Sequence, residues 1–327
     1  MSSQSTKEAN KKNTEKMIDS QISGNIVKLF HHSKFLQQEK TPISCQFILT
    51  NHCNLKCSFC CNKNRDQSLV MDTQTALKAL EDLRELGCKG VEFTGGSEPT
   101  MHKDFLFILE KCIELGMTPA LVTNGVLLSR IPKELLAKLD WLRISINASR
   151  KHYKKIHGHN LYDKVIQGLE HVNDLPISNK GVSYIFCNET TLDDAQDLIN
   201  ELQPFNLNYF RFSVDVFNQP LVTSIRPEFK SEKFKIFYHS ERDIRISKTC
   251  NIFYYKPVID CSGFIYPCCT NQHKEILPIG RVKDLLKIWK NKDIRLDTSK
   301  CAYCIYGEAN DLIEGMEKAK LKNLNFI

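Results

Sequence analysis

The sequence predicts an α/β fold built on a parallel sheet. Two observations carry that prediction. From Pro42 onward, short apolar runs of strand character alternate with amphipathic helical segments, the order that right-handed crossovers between parallel strands require. Polar and glycine residues then collect just after the strand candidates, where such folds assemble their ligand contacts.

The elements follow in order. Residues 1 to about 16 are polar and charged without an apolar period and read as a disordered start, and Ile22, Ile26, Val27, Leu29, Phe30 and Phe35 predict a short amphipathic helix over 22–36. Strands are predicted at 43–50, 90–94, 118–123, 141–147, 181–187 and 208–214. The helices between them are 73–87 (Leu77, Leu80, Leu83, Leu86), 103–115 (Phe105, Ile108, Cys112, Leu115), 131–139, 161–173 and 192–203. Thr191 opens the last of these with Asp194 three positions on, as a helix cap does. Periodicity alone fits an open (β/α)6 barrel or a doubly wound sheet equally. The Pro- and charge-rich stretch 217–249 reads as a linker, 250–310 as a small cysteine-rich unit, and 311–327 as a C-terminal helix, leaving 1–41 as the start and 42–216 as the large domain.

Cysteine spacing points to the chemistry. Cys53-Asn-Leu-Lys-Cys57-Ser-Phe-Cys60 follows the first strand candidate, and three thiolates on one short loop can hold three irons of a four-iron, four-sulfur cluster with the fourth iron open. Zinc sites want four ligands in paired spacings, which this triplet lacks. After the next helix, the second strand ends in Gly95-Gly96-Ser97-Glu98-Pro99, where two glycines let backbone approach a ligand and the acid and proline shape the turn.

A second group follows. Cys250 is separated by twelve residues from Gly263, which is separated by four more from Cys268, and Cys301-Ala-Tyr-Cys304 comes later with no cysteine beyond it. Asp260-Cys261-Ser262-Gly263 makes a hairpin turn between 253–259 and 264–266. Counting ligands favours one further cluster on Cys250, Cys268, Cys301 and Cys304, with Cys261 and Cys269 as spares; a zinc ribbon is the competing reading. Cys45, Cys61, Cys88, Cys112 and Cys187 read as core thiols or neighbours of the loop.

The two motifs in this order, over about residues 43–310, resemble the radical S-adenosylmethionine (SAM) superfamily, and the C-x12-G-x4-C element resembles its SPASM and twitch extensions. The resemblance implies a partial (β/α)6 barrel followed by a small cysteine-rich hairpin-plus-helix domain. It implies that Cys53, Cys57 and Cys60 bind a cluster whose open iron is chelated by SAM, and that the turn Gly95 to Pro99 holds the methionine amino group. It places Phe59 near adenine, and Asn124, Ser145, Asn147 and Arg211 at strand-end positions that commonly contact SAM; Asp215 belongs to the same end of the sixth strand. The cofactors expected are SAM and two 4Fe-4S clusters, one of them auxiliary.

The activity implied is reductive cleavage of SAM to a 5′-deoxyadenosyl radical and a two-electron oxidation or crosslink of a substrate. A peptide is the first substrate reading, although no separate leader-binding domain is visible in the first 44 residues; a sugar or cyclitol is the second. A non-catalytic iron-sulfur or zinc protein would keep the cysteines but would not need the Gly95 to Pro99 turn. At 42% hydrophobic and 25% charged, with 45 Lys and Arg against 38 Asp and Glu, the 327-residue chain can bury a large core and carries only a mild positive charge. The sequence shows no signal peptide and no apolar run near 18 residues, so a cytoplasmic protein without a membrane partner is expected. An electron donor such as flavodoxin or ferredoxin is expected as a partner, and nucleic acid is not.

Overall fold

The computed structural model describes residues 40–214, 229–238, 249–269, 278–291, 294–301 and 304–318. The predicted helix at 22–36, most of 217–249 and Asp215 lie outside the described residues. Six β/α units are laid out as predicted. Strands β1 (Ser44–Phe47), β2 (Gly90–Phe93), β3 (Thr118–Thr123), β4 (Trp141–Ser145), β5 (Asn179–Phe186) and β6 (Tyr209–Val214) pair in parallel in chain order. Helices α1 (Thr73–Glu85), α2 (Phe105–Glu114), α3 (Lys133–Leu136), α4 (Tyr153–His157), α5 (Tyr162–Val172) and α6 (Leu192–Leu202) lie in the connections.

Alternation along each strand decides which side faces what. Cys45, Phe47, Val91, Phe93, Leu142 and Ile144 are buried in one core with Leu80, Leu83, Ile108, Leu109 and Val165 of the helices. Gln46, Glu92, Trp141, Arg143 and Ser145 alternate with them and are half-buried on the face away from the helices, the lumen of the barrel. At one level of the lumen the Trp141 indole donates to the Tyr209 hydroxyl at 2.8 Å. Gly181 stands opposite Tyr209, and a Cβ there would come within 2.2 Å of the Tyr209 ring, so glycine makes room for it.

The sheet extends beyond six strands at both edges. A seventh parallel strand, β7 (Lys235–Tyr238), pairs with β6 and lies inside the stretch that composition reads as a linker. At the other edge, β8 (Val258–Ile259) pairs in parallel with β1 and turns into antiparallel β9 (Phe264–Tyr266) and β10 (Gly280–Arg281). The order is β10-β9-β8-β1-β2-β3-β4-β5-β6-β7, so among the described residues the sheet is one open barrel wall with the cysteine-rich hairpin added to it. Helix α7 (Leu285–Lys290) packs on α1, and α8 (Gly307–Lys318) contacts the turn Ile252–Tyr254.

The cap expected at Thr191 is present, its side chain accepting from the Asp194 N–H at 3.1 Å. Asp194 itself is buried and does more than begin a helix. Its carboxylate accepts from the Ser149 N–H (3.0 Å), the Ser149 hydroxyl (2.6 Å), the Tyr184 hydroxyl (2.8 Å) and His152 Nδ1 (2.8 Å), tying the loop after β4 to β5 and α6. Removing an acceptor that serves four donors, three of them buried, leaves them without hydrogen bonds. Asp194→Ala should therefore lower unfolding stability by about 3 kcal/mol in a urea titration, whereas the exposed neighbour change Asp193→Ala should leave it within about 0.5 kcal/mol.

Candidate active site

The chain leaves β1 and forms the cysteine loop at the C-terminal mouth of the barrel. Two backbone bonds fix it: Lys56 N–H donates to the His157 carbonyl at 2.9 Å and Ser58 N–H to the Ile156 carbonyl at 3.0 Å. The loop thus lies against the end of α4, a five-residue helix that the sequence analysis did not anticipate because Tyr-Lys-Lys-Ile-His has no apolar period. Gly158 ends α4 with φ at 76°, and a Cβ there would lie 2.9 Å from the Lys56 carbonyl oxygen. Only glycine suits both the left-handed turn and the close approach.

Cys53, Cys57 and Cys60 are half-buried free thiols and near neighbours of one another. Burial, and then the proximity of the other two, pushes the Cys57 thiol well up; burial likewise raises Cys53. Such a set resists ionising unless a positive centre joins it, which is what metal binding supplies. No three His, Cys, Asp or Glu side chains among the described residues gather tightly enough for a single metal ion. A four-iron core is wider than one ion, and three thiolates on one loop suit it.

Each of the three sulfurs meets an N–H group or ring nitrogen from a different place. Asn124 Nδ2 donates to Cys53 at 3.9 Å, His157 Nδ1 lies 3.1 Å from Cys57, and Arg65 Nη1 donates to Cys60 at 3.5 Å. Arg65 also staples the loop through the carbonyls of Asn51 and Asn62, both at 2.7 Å. His157 is buried, and burial holds its pKa down at about 3. Phe59 meets the His157 ring edge-on at 6.1 Å and packs on Ala148, Ile156 and Cys187. His52 is exposed, with its carbonyl taking the Glu98 N–H at 3.0 Å.

The turn Gly95 to Pro99 is locked to this loop. The Ser97 hydroxyl bonds to the Thr50 carbonyl, and Glu98 N–H reaches the loop as described. The close approaches that the glycines allow here are within the chain: a Cβ on Gly95 would lie 2.7 Å from Ile48, and one on Gly96 2.5 Å from Asn62. Glu98 is buried and accepts from the hydroxyls of Thr100 (2.6 Å) and Thr123 (2.7 Å) and the N–H groups of Asn124 (2.7 Å) and Thr100 (3.2 Å). Burial pushes its carboxyl up and these four donors oppose that. Pro99 begins a 3-10 turn, Pro99–Met101. Glu98 thereby joins the ends of β2 and β3 and sets Asn124, whose side chain also donates to Asn54 Oδ1 at 2.6 Å in the cysteine loop.

Of the remaining strand-end residues, Ser145 lies 3.3 Å from Ser183, hydroxyl to hydroxyl. Asn147 is buried, its Oδ1 accepting from Ile185 N–H at 2.9 Å and its own N–H donating to His157 Nε2 at 3.3 Å. Arg211 is half-buried on β6, in register with Ser183 of β5 and so with Ser145 of β4. Arg143, Arg211 and Glu92 all act electrostatically on Tyr209. Glu92 is engaged by Gln46 (3.2 Å) and Lys256 (3.4 Å), so this level of the lumen holds three cations and one paired acid.

The second cysteine set also comes together. Burial pushes the Cys250 thiol up, and Cys268, Cys304 and Cys301 add to that by proximity. Asn310 of α8 binds this set: its Nδ2 donates to Cys304 at 3.7 Å, and its Oδ1 accepts from the N–H groups of Asn251 (2.8 Å) and Ile252 (2.9 Å). Buried Tyr306 senses Cys269, Cys268 and Cys304 together with Glu92 of the lumen. Cys261 is buried apart from these four, near Asp66 and Arg65 of the first loop, and Cys269 is exposed.

Residues 47–202 match the family model described as the Radical SAM superfamily. Residues 47–202 are thus a radical SAM domain. Proteins of that superfamily use SAM and a 4Fe-4S cluster. A probable GTP 3′,8-cyclase of Saccharolobus solfataricus is 30% identical over 167 residues, 50% of this chain and 54% of that protein, so the chain spans about half the length of such curated relatives. The Streptococcus suis SuiB structure bound to precursor peptide SuiA is similar with a TM-score of 0.57 at 18% identity, covering 92% of this chain and 72% of that one. Native anSMEcpe with bound AdoMet and Cp18Cys peptide gives 0.56 at 15%, covering 77% and 81%. At these identities the likeness is one of fold.

Arg65 and His157 were not singled out by sequence. Arg65 stands five residues after Cys60 and a charge count along the loop could have found it; His157 is 100 residues from Cys57 and carries no local signal. Glu98 acts here through the chain, which yields a direct expectation. Glu98→Ala should cost about 3 kcal/mol by leaving buried donors unpaired, and should lower the iron retained on the first loop; Glu98→Gln, which keeps an acceptor, should lose less on both measures.

Proposed function

We propose that Cys53, Cys57 and Cys60 hold the SAM-binding 4Fe-4S cluster, and that Cys250, Cys268, Cys301 and Cys304 hold an auxiliary one of the SPASM or twitch kind. The observation that carries this is the placement of three neighbouring thiols at the barrel mouth with the Gly95 to Pro99 turn bonded directly onto their loop. When bound, these groups supply the electron that splits SAM into methionine and a 5′-deoxyadenosyl radical, and a closed four-cysteine acceptor for the electron left on the substrate.

The chain's own part is to bind, orient and exclude water. Gly95, Gly96, Ser97 and Pro99 present backbone to the SAM amino group, Glu98 and Asn147 hold neighbouring strand ends in place, and Phe59, Asn124, Ser145 and Arg211 line the approach to SAM. Flavodoxin or ferredoxin is the electron donor in this reading. Zinc on the second set is disfavoured by its spacing, since the adjacent Cys268 and Cys269 make a poor zinc clasp.

The substrate reading is a peptide, supported by the peptides bound to SuiB and anSMEcpe, which share the fold. One observation favours a second reading, an anionic small molecule: the lumen level of Arg143, Arg211 and Lys256 against Glu92, in a chain partly similar to a probable GTP 3′,8-cyclase.

Anaerobically reconstituted protein should hold about eight irons and eight sulfides per chain, and should form 5′-deoxyadenosine from SAM under a strong reductant. Cys57→Ala should abolish that product while remaining folded, and replacing Cys301 and Cys304 together should halve the iron without abolishing it. Undiminished cleavage by Cys57→Ala would defeat the assignment. A rise in product with a peptide encoded beside this gene would support the peptide reading, and a rise with GTP the anionic one.

A further inference from the structure

We propose that His157 is a positioning residue that sets the reduction potential of the first cluster, by donating an N–H to the Cys57 sulfur. This rests on the proposed three-cysteine cluster. The geometry of the imidazole carries it. Its Nε2 accepts the backbone N–H of Asn147 at 3.3 Å, so the proton of the neutral ring sits on Nδ1, and Nδ1 is the atom 3.1 Å from Cys57. The tautomer is therefore fixed by backbone rather than by solvent. The ring cannot swing away: it is 1% exposed, stacked on Tyr153 at 4.2 Å, and met edge-on by Phe59. Its carbonyl holds Lys56 N–H, so one residue grips the cysteine loop through main chain and side chain together.

Hydrogen bonds to cluster sulfurs are among the factors that set reduction potential. A reduced cluster carries one more negative charge, so an N–H aimed at its sulfur favours the reduced form and raises the potential. A hydrogen bond in a low-dielectric site has a larger electrostatic effect than one in water. Asn124 and Arg65 address the other two sulfurs at 3.9 and 3.5 Å, and His157 makes the shortest and most enclosed of the three contacts. Asn147, ten residues earlier and expected as a SAM contact, acts in this arrangement by locking the histidine.

The test is a redox titration of the full reconstituted protein, with dithionite or titanium(III) citrate as reductant. The cluster is followed by the electron paramagnetic resonance signal that changes when SAM is added. His157→Phe keeps a ring for Tyr153 and removes both nitrogens, and should lower the one-electron reduction constant about tenfold, which is 59 mV. His157→Gln, which restores an N–H donor, should recover part of that shift; an unshifted Phe variant would overturn the inference. Should the Phe variant fail to load, pulsed resonance on ¹⁵N-histidine-labelled His52→Asn protein decides. A ¹⁵N coupling to the reduced cluster supports the bond, and its absence overturns it. Wild-type protein that takes up no iron would defeat the cluster assignment itself, whereas loaded protein with an unshifted potential would defeat this inference alone.

Discussion

Three thiols pressed together at the edge of a protein interior are an unstable arrangement on their own. Burial disfavours each thiolate, and each charge disfavours the next. At Cys53 and Cys57 both effects act in the same direction, and the surrounding structure addresses both. The loop is tied down by backbone bonds to α4 and by the Arg65 staple, which keeps the sulfurs in place before anything binds. Each sulfur is given a polar nitrogen partner, so that negative charge delivered there meets a donor rather than an empty apolar wall.

Much of the barrel mouth can be read as support for that loop. Glu98 binds β2 to β3 and sets Asn124; Asn147 binds β4 to β5 and sets His157; Asp194 anchors the loop after β4 and the cap of α6. These are buried polar groups with two or more partners each, and such networks rigidify a site. The second cysteine set follows the same plan with a different clamp, since Asn310 contacts Cys304 with one end of its amide and the Cys250 segment with the other. Tyr306, between those thiols and Glu92 in its electrostatic surroundings, links this region to the lumen.

The sequence made legible whatever repeats or is local. The six β/α units are regular, and the strands at Thr118–Thr123 and Tyr209–Val214 and the helix Leu192–Leu202 fall within a residue or two of expectation. The cysteine loop and the Gly95 to Pro99 turn are local motifs and were found as such. What was hidden depends on distance along the chain. That β8 pairs with β1, more than 200 residues away in sequence, follows from no pattern in either strand. The short β7, Lys-Ile-Phe-Tyr, sits in a polar stretch that masks it. His157 lies in a helix too short to show a period, and its role arises from a contact across 100 residues. The glycines of the turn were expected to face a ligand, and their tightest contacts are Ile48 and Asn62, which only packing reveals.

The central claim is that the three-cysteine loop leaves one iron of its cluster for SAM. Mössbauer spectroscopy of protein reconstituted with ⁵⁷Fe tests this most directly, using the chain in which Cys301 and Cys304 are replaced so that a single cluster contributes. Adding SAM should split off one iron in four as a distinct site of higher coordination while the other three stay unchanged. Four irons that remain equivalent with and without SAM, or a loop that takes up zinc in place of iron, would contradict the account.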